Sequence, residues 1–273
     1  MRHLLAAPLI PLALAAAPAE AAPEEVAALA EAMQLPGIVA IMQEEGMDYG
    51  LSIAEQLFPD APLADWQQAV EAIYDAEEMT DILLANLGEV LEGEDIAAMT
   101  AFFEAEPGAT IAGLEHSARA ALRDEDVEQM AREAAAIAMA DETPRHSQLT
   151  RFIEVNDLIE ANVASGLNDS LNFMLGLSEG GGLPGMAEGD IFARVWSQEP
   201  EIRQNTQEWT YSFLTLAYEP LPDADLEAYI AFSETEPGQA LNDGLFEAFD
   251  EMYNDMSRAL GRAAARYMVG QQL

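Results

Sequence analysis

The chain has 273 residues, with 50 Asp or Glu against 11 basic residues, every one of them Arg, and a formal net charge of −39. Such a field repels phosphate, which excludes nucleic acid and anionic membrane surfaces as electrostatic partners. No cysteine is present, which removes disulfides, thiolate nucleophiles and Cys-ligated metal together; half of the residues are hydrophobic, enough for a packed core.

In chain order, the first element is an export signal. Arg2 and His3 give a short cationic start, Leu4 to Ala17 is apolar, and Ala19-Glu20-Ala21 has the small-x-small pattern of a signal peptidase site. Residues 1–21 are expected to be removed by a cut after Ala21 or Ala22, leaving a periplasmic or secreted protein with no membrane span. The apolar residues that follow recur at helical spacing. Val26, Leu29, Ala30 and Met33 form one stripe, and Ile38, Ile41 and Met42 open a second after Pro36-Gly37. Trp66, Val70, Ile73, Leu84, Leu87 and Leu91 read as one longer helix. Ile96, Met99, Phe102 and Phe103 mark a short one, and Ile111, Leu114, Ala118 and Leu122 open the next. Alternating runs rich in Val, Ile and Thr are missing, so the expected fold is all-α.

The chain also repeats itself. Asp95 to Gly108 (DIAAMTAFFEAEPG) aligns with Asp225 to Gly238 (DLEAYIAFSETEPG) at an offset of 130, which also places Trp66 on Trp196 and Arg132 on Arg262. Upstream the offset is 120, placing Leu29 on Leu149 and Gly46 on Gly166, and a glycine-rich insertion at 178–190 accounts for the difference. Two tandem, internally duplicated helical units follow, at 24–141 and 148–270. Within them, Pro107 and Gly108, and Pro237 and Gly238, read as tight helix-to-helix corners, with Phe102 and Phe232 packing inward just ahead. Trp66 and Trp196 are expected in equivalent buried positions, and the insertion is expected as an exposed connector or flap.

The aromatic, acidic or small residues, Pro and Gly of Ala101–Gly108, and their copy at 231–238, resemble the corner of the bacterial domain-of-unknown-function family 2059, whose motif is an aromatic pair followed by Ser, Pro and Gly. The aromatic pair becomes Phe232-Ser233 in the second copy, Ala105 or Thr235 replaces the small polar residue, and the family's Lys after the Gly is absent. The resemblance implies two tandem divergent copies of a helical, usually exported bacterial unit with no assigned activity.

The motifs that carry chemistry elsewhere lack their context here. Gly176-Leu177-Ser178-Glu179-Gly180 has the spacing of a hydrolase nucleophile elbow, but no strand precedes it and no His follows His146, so it reads as a loop. Gly180, Gly182 and Gly185 match a dinucleotide fingerprint without its strand. His116 and His146 have no ligand spacing and read as surface residues. Asp124-Glu125-Asp126 and Asp223-Ala224-Asp225 lack the glycine and glutamate of a calcium loop, and Asp124 and Asp225 read as helix caps. Arg258, Arg262 and Arg266 follow Glu247, Asp250, Glu251 and Asp255 on one helix, the order in which charges pair along a helix and complement its dipole. Trp66, Trp196 and Trp209, with Phe102, Phe232, Tyr211, Phe213 and Tyr218, are candidates for core or ligand groove.

No catalytic residue, cofactor or metal ligand set is read from this sequence. The expected function is a non-catalytic binding or interaction module whose partners are cations, a basic peptide or an envelope protein. The competing expectation is a hydrolase or lyase using paired carboxylates between the two units. Loss of residues 1–21 removes one Arg and one Glu, so the charge of −39 survives cleavage. Self-repulsion should therefore lower stability at low ionic strength. The melting temperature is expected to rise by several degrees between about 10 mM and 500 mM salt, where the Debye length falls from roughly 30 Å to under 10 Å; scanning calorimetry across that range checks it.

Overall fold

The computed structural model describes residues 23–270, so the signal-peptide reading of residues 1–21 lies outside it. Among the described residues there are thirteen helices and no strand, an all-α fold. The first half contains α1 (Pro23–Ala32), α2 (Leu35–Leu57), α3 (Leu63–Ile73), α4 (Ala76–Val90), α5 (Ile96–Glu104), α6 (Gly108–Ala121) and α7 (Glu125–Ala140). The second contains α8 (Pro144–Val155), α9 (Leu158–Glu179), α10 (Glu188–Trp196), α11 (Glu199–Tyr218), α12 (Asp223–Ser233) and α13 (Glu236–Gly270). No single described helix is long and apolar enough to cross a membrane.

Short polar side chains set the helix starts. Asp75, Asp95, Asp124 and Thr143 each accept a hydrogen bond from a backbone N–H two or three residues on, satisfying donors that the first turn leaves without partners. The cap at Asp75 divides the single helix expected from Trp66 to Leu91 into α3 and α4. Asp225 does not cap: it lies in the first turn of α12, while Asp223 pairs with Arg145 at 2.8 Å.

The helices of the two halves follow one another in the same order, α1 to α5 matching α8 to α12. The only difference in number is at the end, where α6 and α7 stand against the single 35-residue α13. Both α1–α2 and α8–α9 turn through a left-handed residue, Gln34 at φ 57° and Asp157 at φ 49°. Both Glu-Pro-Gly corners bring their glycine onto the carbonyl six residues back. A Cβ on Gly108 would lie 2.1 Å from the Phe102 oxygen, and one on Gly238 2.0 Å from the Phe232 oxygen, a separation no side chain tolerates.

The packing, however, does not respect the two tandem units. One core joins α1–α5 to α13 through Leu241, Ala248, Met252, Leu260 and Ala264. The other joins α8, α11 and α12 to α6 through Ile111 and Ala118. Each half thus receives its closing helix from the other: α13 lies against α4, and α6 and α7 against α11. The joint between the halves is a stack of Phe102 on Phe232, ring centroids 4.0 Å apart and nearly parallel. Each ring lies four residues ahead of the glutamate of its Glu-Pro-Gly corner.

The helices α9 and α13 cross with their backbones almost touching. A Cβ on Gly176 would come within 2.2 Å of the Arg258 oxygen, and one on Gly261 within 2.1 Å of the Phe173 oxygen. The nucleophile-elbow pattern is therefore the last turn of α9 rather than a loop, and its glycines serve helix packing. The insertion is shorter and less free than expected. Its irregular part is residues 180–187, tied down by Gly182 N–H donating to the Leu177 carbonyl at 2.8 Å and by Leu183 against the core.

Trp66 is fully buried, donates from Nε1 to the Gly50 carbonyl at 2.8 Å, and meets the edges of Phe58 and of Tyr267 from α13. Trp196 corrects the expectation of equivalence, since it is 69% exposed. No helix covers it, because α13 runs on over α3 whereas α6 ends at Ala121 and α7 turns onto α11. Trp66→Ala is expected to cost about 3–5 kcal/mol, and Trp196→Ala no more than about 0.5 kcal/mol in the isolated chain. Gly238→Ala should cost about 1–3 kcal/mol through overpacking. Urea denaturation of the three variants checks this ordering.

Candidate functional site

Where the halves interlock, α2, α6, α9, α11 and α13 leave a cleft in three connected parts. The inner end is a cavity of about 220 Å³ reaching Glu115, Phe152, Trp209, Thr210, Tyr218 and Phe232. The middle, about 470 Å³, shares Asn162, Trp209 and Asn242 with it and adds Arg119, Asp169, Asp250 and Tyr253. The outer mouth, about 460 Å³, shares Asp169 and Tyr253 and adds Glu45, Tyr49, Tyr74 and Ser257.

Helical spacing aims these groups. Glu115 and Arg119 are one turn apart on α6, so they look along the same groove. At the inner end Tyr218 donates its hydroxyl to Glu115 Oε1 at 2.5 Å, and Tyr229 from α12 is a second hydrogen-bond partner. Removal from water dominates these bonds and pushes the Glu115 carboxyl up to about 7, and burial drives both tyrosines well above their ordinary range. The buried Thr210 hydroxyl has no partner although it borders this cavity. Asn156 is buried and held by its own helix, its Nδ2 donating to the Phe152 carbonyl at 2.9 Å, while Asn242 donates to the Asn156 carbonyl at 3.0 Å.

In the middle, Asp169 is also pushed up to about 7, first by burial and then by the facing charge of Asp250, with Ser257 opposing through a hydrogen bond. Arg119 pairs with Glu45 at 2.6 Å and lies 5.8 Å from the Trp209 ring centroid, a cation–π distance. Its Nε is buried without an acceptor. Burial raises Tyr253 to about 12 and Tyr49 above its ordinary value. None of the ion pairs among the described residues includes Glu115, Asp169 or Asp250.

The aromatic candidates therefore separate. Trp209, Phe213, Tyr218 and Phe232 line the cleft, Trp66 and Phe102 belong to core and joint, and Trp196 lies outside it with Phe192 in a groove between α9 and α10. Pro107 and Pro237 stay at the corners, and Gly238 borders the inner cavity. His116 packs over Gly37 and His146 stacks on Tyr211 at 5.1 Å, so neither is a bare surface residue. Arg258 and Arg262 pair across to Glu179 of α9 instead of along their own helix. Asp124 caps α7, and no group of three or more His, Asp or Glu poised to hold a metal occurs among the described residues.

Asp169, Thr210 and Asn242 carry no local signal, since each sits in an ordinary helical stretch and gains its place only when α9, α11 and α13 meet. No family model, no curated protein and no solved structure matches the chain.

Glu115 and Asp169 keep a proton in the native state that the unfolded chain releases, at any pH between the ordinary carboxylate range and about 7. The native state then binds more protons than the unfolded one, so stability falls as pH rises through that window. Glu115→Gln is expected to reduce this slope relative to the parent chain, by up to about 1.4 kcal/mol per pH unit, and Asp169→Asn to do the same independently. Urea denaturation from pH 4.5 to 8 checks it.

Proposed function

We propose that the protein is an exported, non-catalytic binding module of the bacterial cell envelope, formed by duplication of one helical unit, with its ligand in the cleft where the halves interlock. The ligand class is an organic cation or a basic side chain of a peptide. The observation that carries this reading is the inner cavity: Glu115 and Thr210, whose buried hydroxyl has no partner, line it among aromatic rings, and no basic side chain is paired with the Glu115 carboxyl. Aromatic faces and a carboxylate together recognise ammonium groups, and the overall charge concentrates cations at the mouth. A cavity of about 220 Å³ suits a single ring or a short aliphatic chain, since ~150 Å³ already holds benzene. The parallel order of helices, the two left-handed turns and the paired glycine corners support the duplication.

Binding a cation there favours the ionised form of Glu115, so binding releases a proton below about pH 7. With benzyltrimethylammonium as probe, affinity is expected to rise toward tenfold per pH unit between pH 5.5 and 6.5 and to level off above 7.5. Neutral benzyl alcohol should bind more weakly, and Trp209→Ala and Glu115→Gln should each weaken the cation by about tenfold or more. Titration calorimetry in two buffers of different ionisation enthalpy counts the proton. Equal binding of both probes, or cation binding indifferent to both substitutions, overturns the reading.

A carboxylate-dependent hydrolase or lyase has one observation in its favour, the facing of Asp169 and Asp250, where burial and the charge of Asp250 raise the Asp169 carboxyl toward the range of a catalytic acid or base. Turnover of an ester, peptide or glycoside panel that Asp169→Asn abolishes would establish it.

A further inference from the structure

An apolar stripe occurs at corresponding positions on α13 and on α7, with opposite fates. On α13, Leu260 and Ala264 are fully buried, and Tyr267 packs on Phe58 and Trp66 over the first half. At the repeat offset of 130 these three positions are Met130, Ala134 and Ile137 of α7, spaced i, i+4 and i+7 on one face. There Met130 is 64% and Ile137 62% exposed, and Ala134 is exposed with them. A neighbouring face of α7, through Ala131 and Ala135, is the one buried as α7 lies against α11.

The receiving side is bare in the same way. Trp66 lies under α13, whereas its counterpart Trp196 stands open beside Phe192, bordering an apolar groove of about 610 Å³ with Leu167 and Leu171 of α9. The chain thus shows one complete contact, a Leu/Ala/Tyr stripe on a tryptophan-marked face, and the two separate halves of a second one. Own α7 does not supply the missing contact, because it packs on α11 and α8.

We propose that the groove between α9 and α10 is a dimerisation surface, filled by the Met130–Ala134–Ile137 face of α7 from a second copy of this chain. Each copy carries both the stripe and the groove, and the arrangement proposed is the one in which two copies make the contact twice around a two-fold axis and so close, in place of a head-to-tail chain with an open end. The α13–α3 contact indicates what the seat looks like: Ile137 of one copy against Trp196 of the other, as Tyr267 lies against Trp66. Both faces are the kind of exposed apolar area that marks an interface rather than scattered surface residues, and an exposed tryptophan at its centre is the residue type that dominates binding energy. The inference rests on the correspondence between the halves and not on any ligand of the cleft.

Sedimentation equilibrium of the protein lacking residues 1–21, in 0.3 M salt to screen the charge of each copy, is expected to show a monomer–dimer equilibrium. Ile137→Glu and Trp196→Ala should each weaken the dimer by about 30-fold or more, without changing the urea midpoint of the monomer. Mixing the two variants restores one intact contact per pair, the groove of the Ile137→Glu chain with the α7 of the Trp196→Ala chain, so a mixed dimer should form more tightly than either variant alone. A chain that remains monomeric to about 100 µM, roughly a hundredfold above a micromolar dissociation constant, overturns the proposal. So does a dimer that both substitutions leave intact, or a mixture that behaves as the sum of its parts.

Discussion

The exchange of closing helices is the constraint on which the rest of this structure depends. With α13 in the core of α1–α5 and α6 in the core of α8, α11 and α12, neither half buries its apolar faces alone, and small helical units gain most from such added burial. The exchange requires α13 to enter the first core while staying packed along α9 of its own half, and the glycine-lined crossing at Gly176 and Gly261 permits that approach. It also requires the two corners to meet, which the stacked Phe102 and Phe232 achieve. The cleft is a by-product of this interlocking: helices that swap partners leave a seam between the cores, and Glu115, Asp169 and Trp209 come to line it.

An acidic chain with so few arginines must place both with care. Several arginines bridge separate helices: Arg119 and Arg123 tie α6 and its end to α2, Arg203 ties α11 to α9, and Arg258 and Arg262 tie α13 to α9. Exposed pairs of this kind contribute little each, about 0–1 kcal/mol, so their effect is on helix orientation more than on stability. The carboxyls inside the cleft are accommodated in another way. Glu115 and Asp169 shift toward neutrality, which removes most of the penalty of burying a charge.

The difference between α7 and α13 shows how a small local change redirects the last part of each half of the chain. In α13 the helix is continuous and carries its apolar stripe over α3. In the first half, Asp124 caps a new helix by accepting from the N–H groups of Asp126 and Val127, so the chain turns and a different face of α7 is buried. One capping carboxylate thereby separates a buried Leu260 from an exposed Met130.

Helix content, the corners and the order of elements were legible in the sequence, because 3.6-residue periodicity, capping residues and glycine next to proline act over a few residues. The fate of Trp66 and Trp196 was not, although their sequence offsets are the same, since burial depends on whether a distant helix arrives to cover the ring. The cleft carboxyls were equally silent: Glu115 and Asp169 look like the other acids on amphipathic helices until Tyr218, Tyr229 and Asp250 close around them. Local spacing determined which faces were apolar; only the tertiary structure decided which helix met each face, because partner choice between two similar halves rests on long-range packing that no short stretch of chain contains.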